Sequence, residues 1–179
     1  YTLKGAYVTY QSVCEAFGIR ASEISIAETQ SDLLGTYNRK LYDLSPVREA
    51  MQVVQTPFPE YERLDNGAAS DTPLIRIRGS GQSLYGDYMG GDIAETVIRT
   101  DRPELPNALI FGDSFTNPVE CLAYYSFNEL RSVDLRHYTV QSLSDYIAAY
   151  QPDVVLCVRD YQSLLLREFN GDFSVSYTH

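Results

Sequence analysis

Gly112, Asp113 and Ser114 follow a short apolar run at 108–111 and precede a stretch with helical character at 118–127. In an open α/β sheet, ligands bind outside the carboxyl ends of the strands, so a serine at this point exposes its hydroxyl at the sheet edge. Its N–H lies at a helix N-terminus, where unpaired amides favour an oxyanion, and Gly112 lets the chain turn sharply. The tripeptide therefore predicts acyl transfer with Ser114 as the nucleophile.

The same tripeptide is also an ordinary way to begin a helix. Ser114 would then satisfy backbone N–H groups as an N-cap, and Asp113 is expected to accept structural hydrogen bonds rather than act as an acid.

A serine nucleophile needs a base, normally a histidine held by a carboxylate, and the chain has two histidines. His137 follows the second predicted strand at the same sheet edge, whereas His179 is the last residue. Neither stands in the local context of a catalytic base, and His137 remains a candidate substrate contact.

A regular alternation of strands and helices in residues 101–179 must position this serine. Short apolar runs predict strands, and apolar residues at three- and four-residue steps predict helices. Mostly apolar strands separated by helices are typical of a parallel sheet covered by helices, and right-handed crossovers bring the strand ends to one edge. The strands are predicted at 108–111, 132–135 and 154–158, and the helices at 118–127, 140–150 and 164–169.

The clearest helix is predicted at 2–18, between an N-capping Thr2 and a terminal Gly18. Residues 19–100 are expected to elaborate the regular α/β core at 101–179 within a single domain over 1–179. The elaboration is predicted to contain a short helix at 47–51, strands at 51–55, 74–77 and 93–100, and a loop at 56–72.

Fifteen tyrosines and no tryptophan make contact with a sugar face a candidate function. Tyr85 and Tyr88 lie in a segment rich in glycine and tyrosine that is expected near Ser114, and a tyrosine ring offers a flat apolar body with a polar tip. The alternative is that most of the tyrosines pack in the core, as the helical spacing of Tyr7 and Tyr10 indicates.

The overall composition excludes several classes of partner. Lys plus Arg is 14 and Asp plus Glu is 24, so the formal net charge is −10. That charge argues against nucleic acid and against docking on an anionic membrane surface. No apolar run is long enough to span a bilayer. Three widely spaced cysteines form no C-x-x-C pair, so zinc and redox motifs are unsupported and no cofactor is predicted.

The serine block and its surroundings resemble the DHHW proteins, which belong with the SGNH-hydrolase-like proteins and are similar to the alginate O-acetylation proteins. The resemblance runs through nearly the whole chain. It rests on blocks at 108–115, 132–138 and 151–155, with shorter segments at 17–18, 34–36 and 88–92. It implies an α/β, flavodoxin-like three-layer sandwich with a mostly parallel sheet, and it implies Ser114 as the nucleophile.

The resemblance also implies where the catalytic base comes from. In that family an Asp-x-His signature lies upstream of the nucleophile, and residues 1–6 match the positions directly after it. We therefore expect an N-terminally truncated chain that lacks the catalytic Asp and His. A first strand is expected upstream as well, together with an extracytoplasmic location and a membrane anchor in the missing N-terminal segment.

The oxyanion site departs from the family pattern at Asp92, where relatives often carry asparagine. An ionised aspartate only accepts hydrogen bonds, so the donor is expected to be an N–H of Gly90 or Gly91, or the oxyanion is bound more weakly. Arg136 would supply positive charge near the site. The alternative role of Arg136 is a salt bridge with a neighbouring aspartate, either Asp134 or Asp160.

Two function hypotheses follow. The first is an SGNH-like serine acyl-ester hydrolase or O-acetyltransferase acting on cell-envelope polysaccharide. Its partners would be a polysaccharide or small acyl-ester substrate and a membrane-bound acyltransferase. The second is a non-catalytic carbohydrate-binding or scaffold module in which Ser114 only caps a helix. A phosphate-binding flavodoxin-like domain is a weaker third alternative, because 115–118 makes a poor phosphate cradle.

Overall fold

The computed structural model describes residues 2–33, 35, 40, 44, 49–78 and 81–161. The chain begins with helix α1 (Leu3–Ala16), which confirms the predicted first helix. The Thr2 side chain caps it by accepting the N–H of Gly5 at 3.1 Å. Gly18 follows the helix with a φ of +66°, a conformation that favours glycine. Both ends of α1 therefore agree with the sequence.

Strands and two more helices make up the rest of the described chain. In chain order the strands are β1 (Ile26–Leu33), β2 (Glu49–Val54), β3 (Glu62–Asp65), β4 (Ala68–Ala69), β5 (Gln82–Ser83), β6 (Glu95–Arg99), β7 (Ala108–Gly112), β8 (Glu129–Asp134) and β9 (Val154–Val158). Helix α2 (Thr116–Ala123) connects β7 to β8, and helix α3 (Leu143–Tyr150) connects β8 to β9. No helix in this part of the chain is long and apolar enough to cross a membrane.

The larger sheet has the strand order β4-β3-β6-β8-β7-β9. β7 pairs parallel with both β8 and β9, so the predicted alternation of strands and helices around the serine is confirmed. β6 pairs antiparallel with β8 and with β3. A smaller sheet has the order β2-β1-β5, with one antiparallel and one parallel pair. The fold is α/β with two mixed sheets.

A mostly parallel, flavodoxin-like sandwich is not confirmed, because three of the six strands in the larger sheet join it antiparallel. Parallel neighbours need a long crossover, usually a helix, whereas antiparallel neighbours need only a tight turn. β3 and β4 are joined by Asn66 and Gly67, whose φ values are 50° and 79°. Positive φ at both central residues is the geometry of a two-residue hairpin turn.

Other differences from the sequence predictions lie between α1 and β7. The predicted loop at 56–72 contains the β3–β4 hairpin, and the predicted strand at 74–77 is reduced to a single bridge between Ile75 and Tyr88. Over 49–51 a strand replaces the predicted helix, because Met51 and Val53 alternate into the core. Leu34, the helix at 164–169, residues 47–48 and His179 lie outside the described residues. The division at residue 100 stays a prediction.

β7 lies at the centre of the parallel strands and is covered on both faces. Ala108 and Ile110 belong to the core cluster that contains residues of α1 and α2. Leu109 belongs to a second cluster, with Leu143 and Tyr146 of α3. Because helices hold β7 from both sides, the position of the residues at its carboxyl end is well defined.

Candidate active site

Several chain segments converge at the carboxyl ends of β7 and β8. Gly112, the last residue of β7, pairs with Asp134, the last residue of β8. The loop before β6 reaches the same edge, because Glu95 at the start of β6 pairs with Val133. This edge therefore holds the predicted site residues of 91–92, 112–114 and 134–137.

The turn at 112–116, called the serine turn below, is closed by Asp113. The buried carboxylate of Asp113 accepts the N–H of Phe115 at 3.0 Å and the N–H of Asp160 at 2.9 Å. Its carbonyl oxygen accepts the N–H of Thr116 at 2.9 Å. Asp113 is thus a structural acceptor that ties the turn to the segment after β9.

Gly112 allows the closest backbone approach at this edge. A Cβ atom at this position would lie 1.9 Å from the carbonyl oxygen of Val158 on the neighbouring strand. No side chain fits there without moving β7 and β9 apart. The glycine is therefore required by the packing of the parallel strands as well as by the turn that follows.

Ser114 is half-buried, and its hydroxyl takes no part in building the turn. Asp113, not Ser114, accepts the N–H of Phe115 ahead of α2. Within the described part of the chain, neither the hydroxyl nor the N–H of Ser114 has a hydrogen-bond partner, and only its carbonyl is engaged, by the N–H of Asn117 at 3.3 Å. Ser114 therefore does not have the N-capping role proposed as its alternative: the N-cap residue of α2 is Phe115, and no described side chain caps this helix end.

The second turn at this edge, Tyr88 to Gly91, is called the glycine turn below. Met89, Gly90 and Gly91 have φ values of +58°, +86° and +102°. The N–H of Gly91 donates to the Tyr88 carbonyl at 3.2 Å, so this predicted oxyanion donor is already used inside the turn. The N–H of Gly90 has no acceptor among the residues that the structure describes.

Asn117 joins the two turns. Its buried side chain, in the first turn of α2, donates from Nδ2 to the carbonyl of Gly91 at 3.2 Å. The glycine turn is therefore held against the helix that follows Ser114. Sequence reasoning did not single out Asn117, because asparagine near a helix start is usually explained by capping.

Arg136 forms the ionic centre of this edge. Its Nε and Nη2 atoms lie 2.9 and 2.5 Å from the two carboxylate oxygens of buried Asp134, and Nη2 lies 3.1 Å from Asp92. Hydrogen bonding to Asp134 raises the pKa of the Arg136 guanidinium. The salt bridge with Asp134 is therefore present, and Asp92 is a further partner. The positive charge of Arg136 also offsets the negative charge of Asp92.

His137 is exposed next to this ion pair, and its N–H donates to the carbonyl of Asp134 at 3.0 Å. Its ring and the carboxylates of Asp92 and Asp134 each offer a ligand atom within 4.8 Å of the others. This is the donor set that could hold a cation. Because Arg136 already pairs with both carboxylates, we assign no metal to these ligand atoms.

The two tyrosines predicted to contact substrate differ in their surroundings. Tyr88 is only 1% exposed, and its hydroxyl donates to the carbonyl of Gln52 at 2.9 Å. Burial raises the pKa of Tyr88. Half-buried Tyr85 packs edge-on against it, with ring centroids 6.0 Å apart. Tyr88 thus fits the core-packing alternative and presents no ring face to a sugar, whereas contact through Tyr85 stays a prediction.

Arg63 on β3 reaches the glycine turn from the antiparallel half of the sheet. Its Nη2 atom donates to the carbonyl of Met89 at 2.5 Å, and the residue is 4% exposed. Sequence reasoning missed Arg63 because it assigned the whole hairpin to a loop. The Asn66-Gly67 pair is a strong hairpin signal that could have placed Arg63 in a strand.

Solved structures share this fold. The chain is similar to a DHHW family protein from Eubacterium siraeum, with a TM-score of 0.75, 20% identity, and coverage of 97% of this chain and 62% of that one. It is similar to Bacillus cereus PatB1 with a sulfonyl adduct, with a TM-score of 0.71, 19% identity, and coverage of 96% and 61%. A second PatB1 structure has a TM-score of 0.66, 20% identity, and coverage of 92% and 61%.

These likenesses show a shared fold, and a fold by itself does not establish an activity. The chain spans about three fifths of the length of these similar proteins. No protein-family model and no curated protein matches the sequence.

Proposed function

We propose that this chain carries the nucleophile of an SGNH-like serine acyl-ester hydrolase or O-acetyltransferase that acts on cell-envelope polysaccharide. The proposal rests on one observation about Ser114, which lies beside the end of a central strand. Among the described residues, neither its hydroxyl nor its N–H makes a hydrogen bond. The likeness to a DHHW family protein and to PatB1 supports the class. A sulfonyl adduct, present in one PatB1 structure, is a product that a nucleophilic hydroxyl can form.

In the proposed reaction, Ser114 Oγ attacks the carbonyl carbon of an acyl donor and transfers its proton to a base. The N–H groups of Ser114 and Gly90 donate to the oxygen on which negative charge develops. The bond to the leaving group breaks as the intermediate collapses, and the leaving group takes a proton. Water or a sugar hydroxyl then attacks the acyl-serine ester, which releases Ser114 with its proton restored.

The proposed base is an Asp-x-His pair supplied by residues that precede Tyr1. Within the described part of the chain no base contacts the Ser114 hydroxyl, and similar structures are longer than this chain. The proposal further includes an extracytoplasmic location, an upstream membrane anchor and a membrane-bound acyltransferase that supplies the acyl group. If the coding sequence before Tyr1 does not encode Asp-x-His, this catalytic triad is ruled out.

A direct test compares Ser114→Ala with Ser142→Ala in the protein that includes its natural residues before Tyr1. Ser142 is a matched control, because its hydroxyl caps α3 by accepting the N–H of Asp145 at 3.1 Å. The readouts are hydrolysis of 4-nitrophenyl acetate and covalent labelling by a sulfonyl fluoride, located by mass spectrometry.

We expect Ser114→Ala to lower the hydrolysis rate by about a thousandfold or more and to abolish the label. Ser142→Ala should keep the wild-type rate and lose about 1 kcal/mol of stability. Equal hydrolysis by wild type and Ser114→Ala would contradict the proposal.

The second candidate function is a non-catalytic carbohydrate-binding or scaffold module. It is favoured by the absence of a base at Ser114 among the described residues and by the carboxylate of Asp92 at the site edge. It predicts that wild type and Ser114→Ala bind an O-acetylated polysaccharide equally and hydrolyse none of it. Tyr85→Ala would then weaken binding, because a tyrosine ring offers a flat apolar surface to a sugar.

A further inference from the structure

The glycine turn has a conformation that the chain does not favour locally. Met89 has a φ of +58°, in the left-handed region that side chains other than glycine and asparagine seldom adopt. Gly90 and Gly91 continue with positive φ. Strained backbone of this kind persists only where surrounding contacts hold it, and it is concentrated at functional sites. The contacts that hold this turn therefore bear on its function.

Both backbone groups of Met89 are tied to distant parts of the chain. Its N–H donates to the carbonyl of Leu74 at 2.8 Å. Its carbonyl accepts Nη2 of Arg63 at 2.5 Å. The Met89 side chain is itself buried, so it anchors the turn in the core.

Arg63 also holds the irregular segment around Thr72, which packs against Gly90. Its Nη1 atom donates to the carbonyl of Thr72 at 3.0 Å, and its Nε lies 2.9 Å from an oxygen of Asp65. A Cβ atom on Gly90 would lie 2.6 Å from Cγ2 of Thr72, so the turn has no space on this side. One guanidinium thus fixes both the turn and the surface behind it.

The choice of arginine at this buried position is informative. An apolar side chain of similar size would fill the same volume without the cost of burying a charge. A guanidinium instead presents its donors in a rigid planar fork, which suits acceptors that must be kept in fixed relative positions. The carboxylate and the two carbonyls that Arg63 contacts are acceptors of this kind.

We infer that Arg63 is a positioning residue of the candidate active site. By holding the carbonyls of Thr72 and Met89, it keeps the glycine turn strained and in place, while Asn117 holds Gly91 from the other side. The turn then presents the N–H of Gly90 to an oxyanion at Ser114. This last step rests on the proposed function, whereas the control of the turn by Arg63 does not.

The test compares Arg63→Lys and Arg63→Met with Arg102→Lys. Arg102 is a matched control, because it donates to the carbonyls of Tyr124, Tyr125 and Phe127 beyond the far end of α2. Hydrogen exchange of peptides that cover 84–94 reports on the turn, thermal unfolding reports on stability, and sulfonyl fluoride labelling of Ser114 reports on the site.

We expect Arg63→Lys to speed amide exchange at Met89 and Gly91 by about tenfold or more, because their N–H groups, bonded to the carbonyls of Leu74 and Tyr88, are released when the turn opens locally. Labelling of Ser114 should slow by about tenfold to a hundredfold, since small displacements of a catalytic group have effects of this size. Arg102→Lys should lower the melting temperature comparably and change neither readout. If Arg63→Met does not fold, Arg63→Lys keeps the charge beside Asp65 and decides the question.

Two results would overturn the inference. Exchange at 84–94 that matches wild type in Arg63→Lys would show that Arg63 does not control the turn. Faster exchange with an unchanged rate of Ser114 labelling would show that the turn does not serve the site. Failure of the proposed function is distinguishable from both, because Ser114→Ala would then leave ester hydrolysis unchanged whatever the exchange result.

Discussion

The serine turn and the glycine turn meet at one edge of the sheet but are stabilised in opposite ways. The serine turn is closed mainly from within, by Asp113 accepting the N–H groups of Phe115 and Thr116. The glycine turn is held mainly from outside, by Arg63, Leu74 and Asn117. A turn held by its own residues is robust to changes elsewhere, whereas a turn held by distant residues is sensitive to the whole fold.

This difference separates two functional requirements. A nucleophile needs a hydroxyl that makes no structural hydrogen bond; Asp113 closes the turn, and among the described residues the Ser114 hydroxyl has no partner. An oxyanion donor needs an N–H held at a fixed place, and remote contacts supply that rigidity at the cost of strain. If this comparison is right, the serine turn depends mainly on contacts within itself and the glycine turn mainly on contacts with distant residues.

The largest expected effect is at the strand that leads into the serine turn. Gly112→Ala places a Cβ 1.9 Å from the Val158 carbonyl oxygen, so β7 and β9 must separate. We expect a loss of about 3 kcal/mol or more in the free energy of unfolding, measured by urea denaturation. Gly35→Ala is the control, since no described residue lies within 4 Å of its Cβ. Equal stability of the two variants would contradict the packing at Gly112.

The next effect is at the glycine turn. Gly90→Ala combines a φ of +86° with a Cβ 2.6 Å from Thr72 Cγ2. Gly67→Ala has a φ of +79° and open space around its Cβ, so it carries the backbone strain alone. We expect about 1 kcal/mol of destabilisation for Gly67→Ala and about 2 to 3 kcal/mol for Gly90→Ala, measured by thermal unfolding. Identical losses would show that the turn has room to move away from Thr72.

A smaller effect is expected for the local closure of the serine turn. Asp113→Asn keeps the shape of the side chain but removes its charge and leaves a single acceptor oxygen, so only one of the N–H groups of Phe115 and Asp160 keeps its bond. We expect a loss of about 1 to 2 kcal/mol in chemical denaturation, against no measurable change for exposed Asp71→Asn. Hydrogen exchange in the glycine turn should stay at the wild-type rate, and faster exchange there would show that the two turns are not stabilised independently.

The smallest effect concerns α2, the helix shared by both turns. Burial raises the pKa of the Glu120 carboxyl. The hydrogen bond that this carboxyl accepts from the Ser132 hydroxyl at 2.6 Å lowers the pKa but does not cancel the effect of burial. A raised pKa in the folded state means that stability is full below the ordinary glutamate pKa and falls as pH rises toward the folded-state value. Glu120→Gln should flatten this decline, which is at most about 1.4 kcal/mol per pH unit.

Urea denaturation of wild type and Glu120→Gln between about pH 5 and about pH 8 measures the decline in stability. Other carboxyls titrate alike in both proteins, so the difference between the two curves isolates Glu120. Parallel curves would show that the Glu120 carboxyl titrates alike in the folded and unfolded chain.

The sequence predicted the region around β7 well because its signals are local. Apolar runs marked β7, β8 and β9, helical spacing marked α2 and α3, and the position of Ser114 after β7 followed from their order. The same reasoning failed for β3 and β4, where short strands lie between turn residues in a polar segment. β3 pairs with β6, whose residues lie about thirty to forty positions further along the chain, and local patterns do not reveal this pairing.

The residues of the candidate site show the same difference between local sequence signals and distant contacts. Asp113, Ser114 and Arg136 were singled out from the sequence, because each stands directly after a strand end. Arg63 and Asn117 were not, and Tyr88, offered as a possible substrate contact with core packing as the alternative, is buried. Which tyrosines pack inside depends on the complete arrangement of both sheets, so composition alone does not distinguish them.

By itself, the sequence determined the α/β character of the chain, the parallel strands around β7 and the place of Ser114 at a strand end. These features depend on hydrophobic periodicity and capping, which act over a few residues. Only the tertiary structure decided that Asp113, and not Ser114, accepts the N–H of Phe115 and that Arg63, 26 positions before Met89, holds the glycine turn. A strained turn is stable only when distant groups hold it, and the folded chain alone brings those groups together.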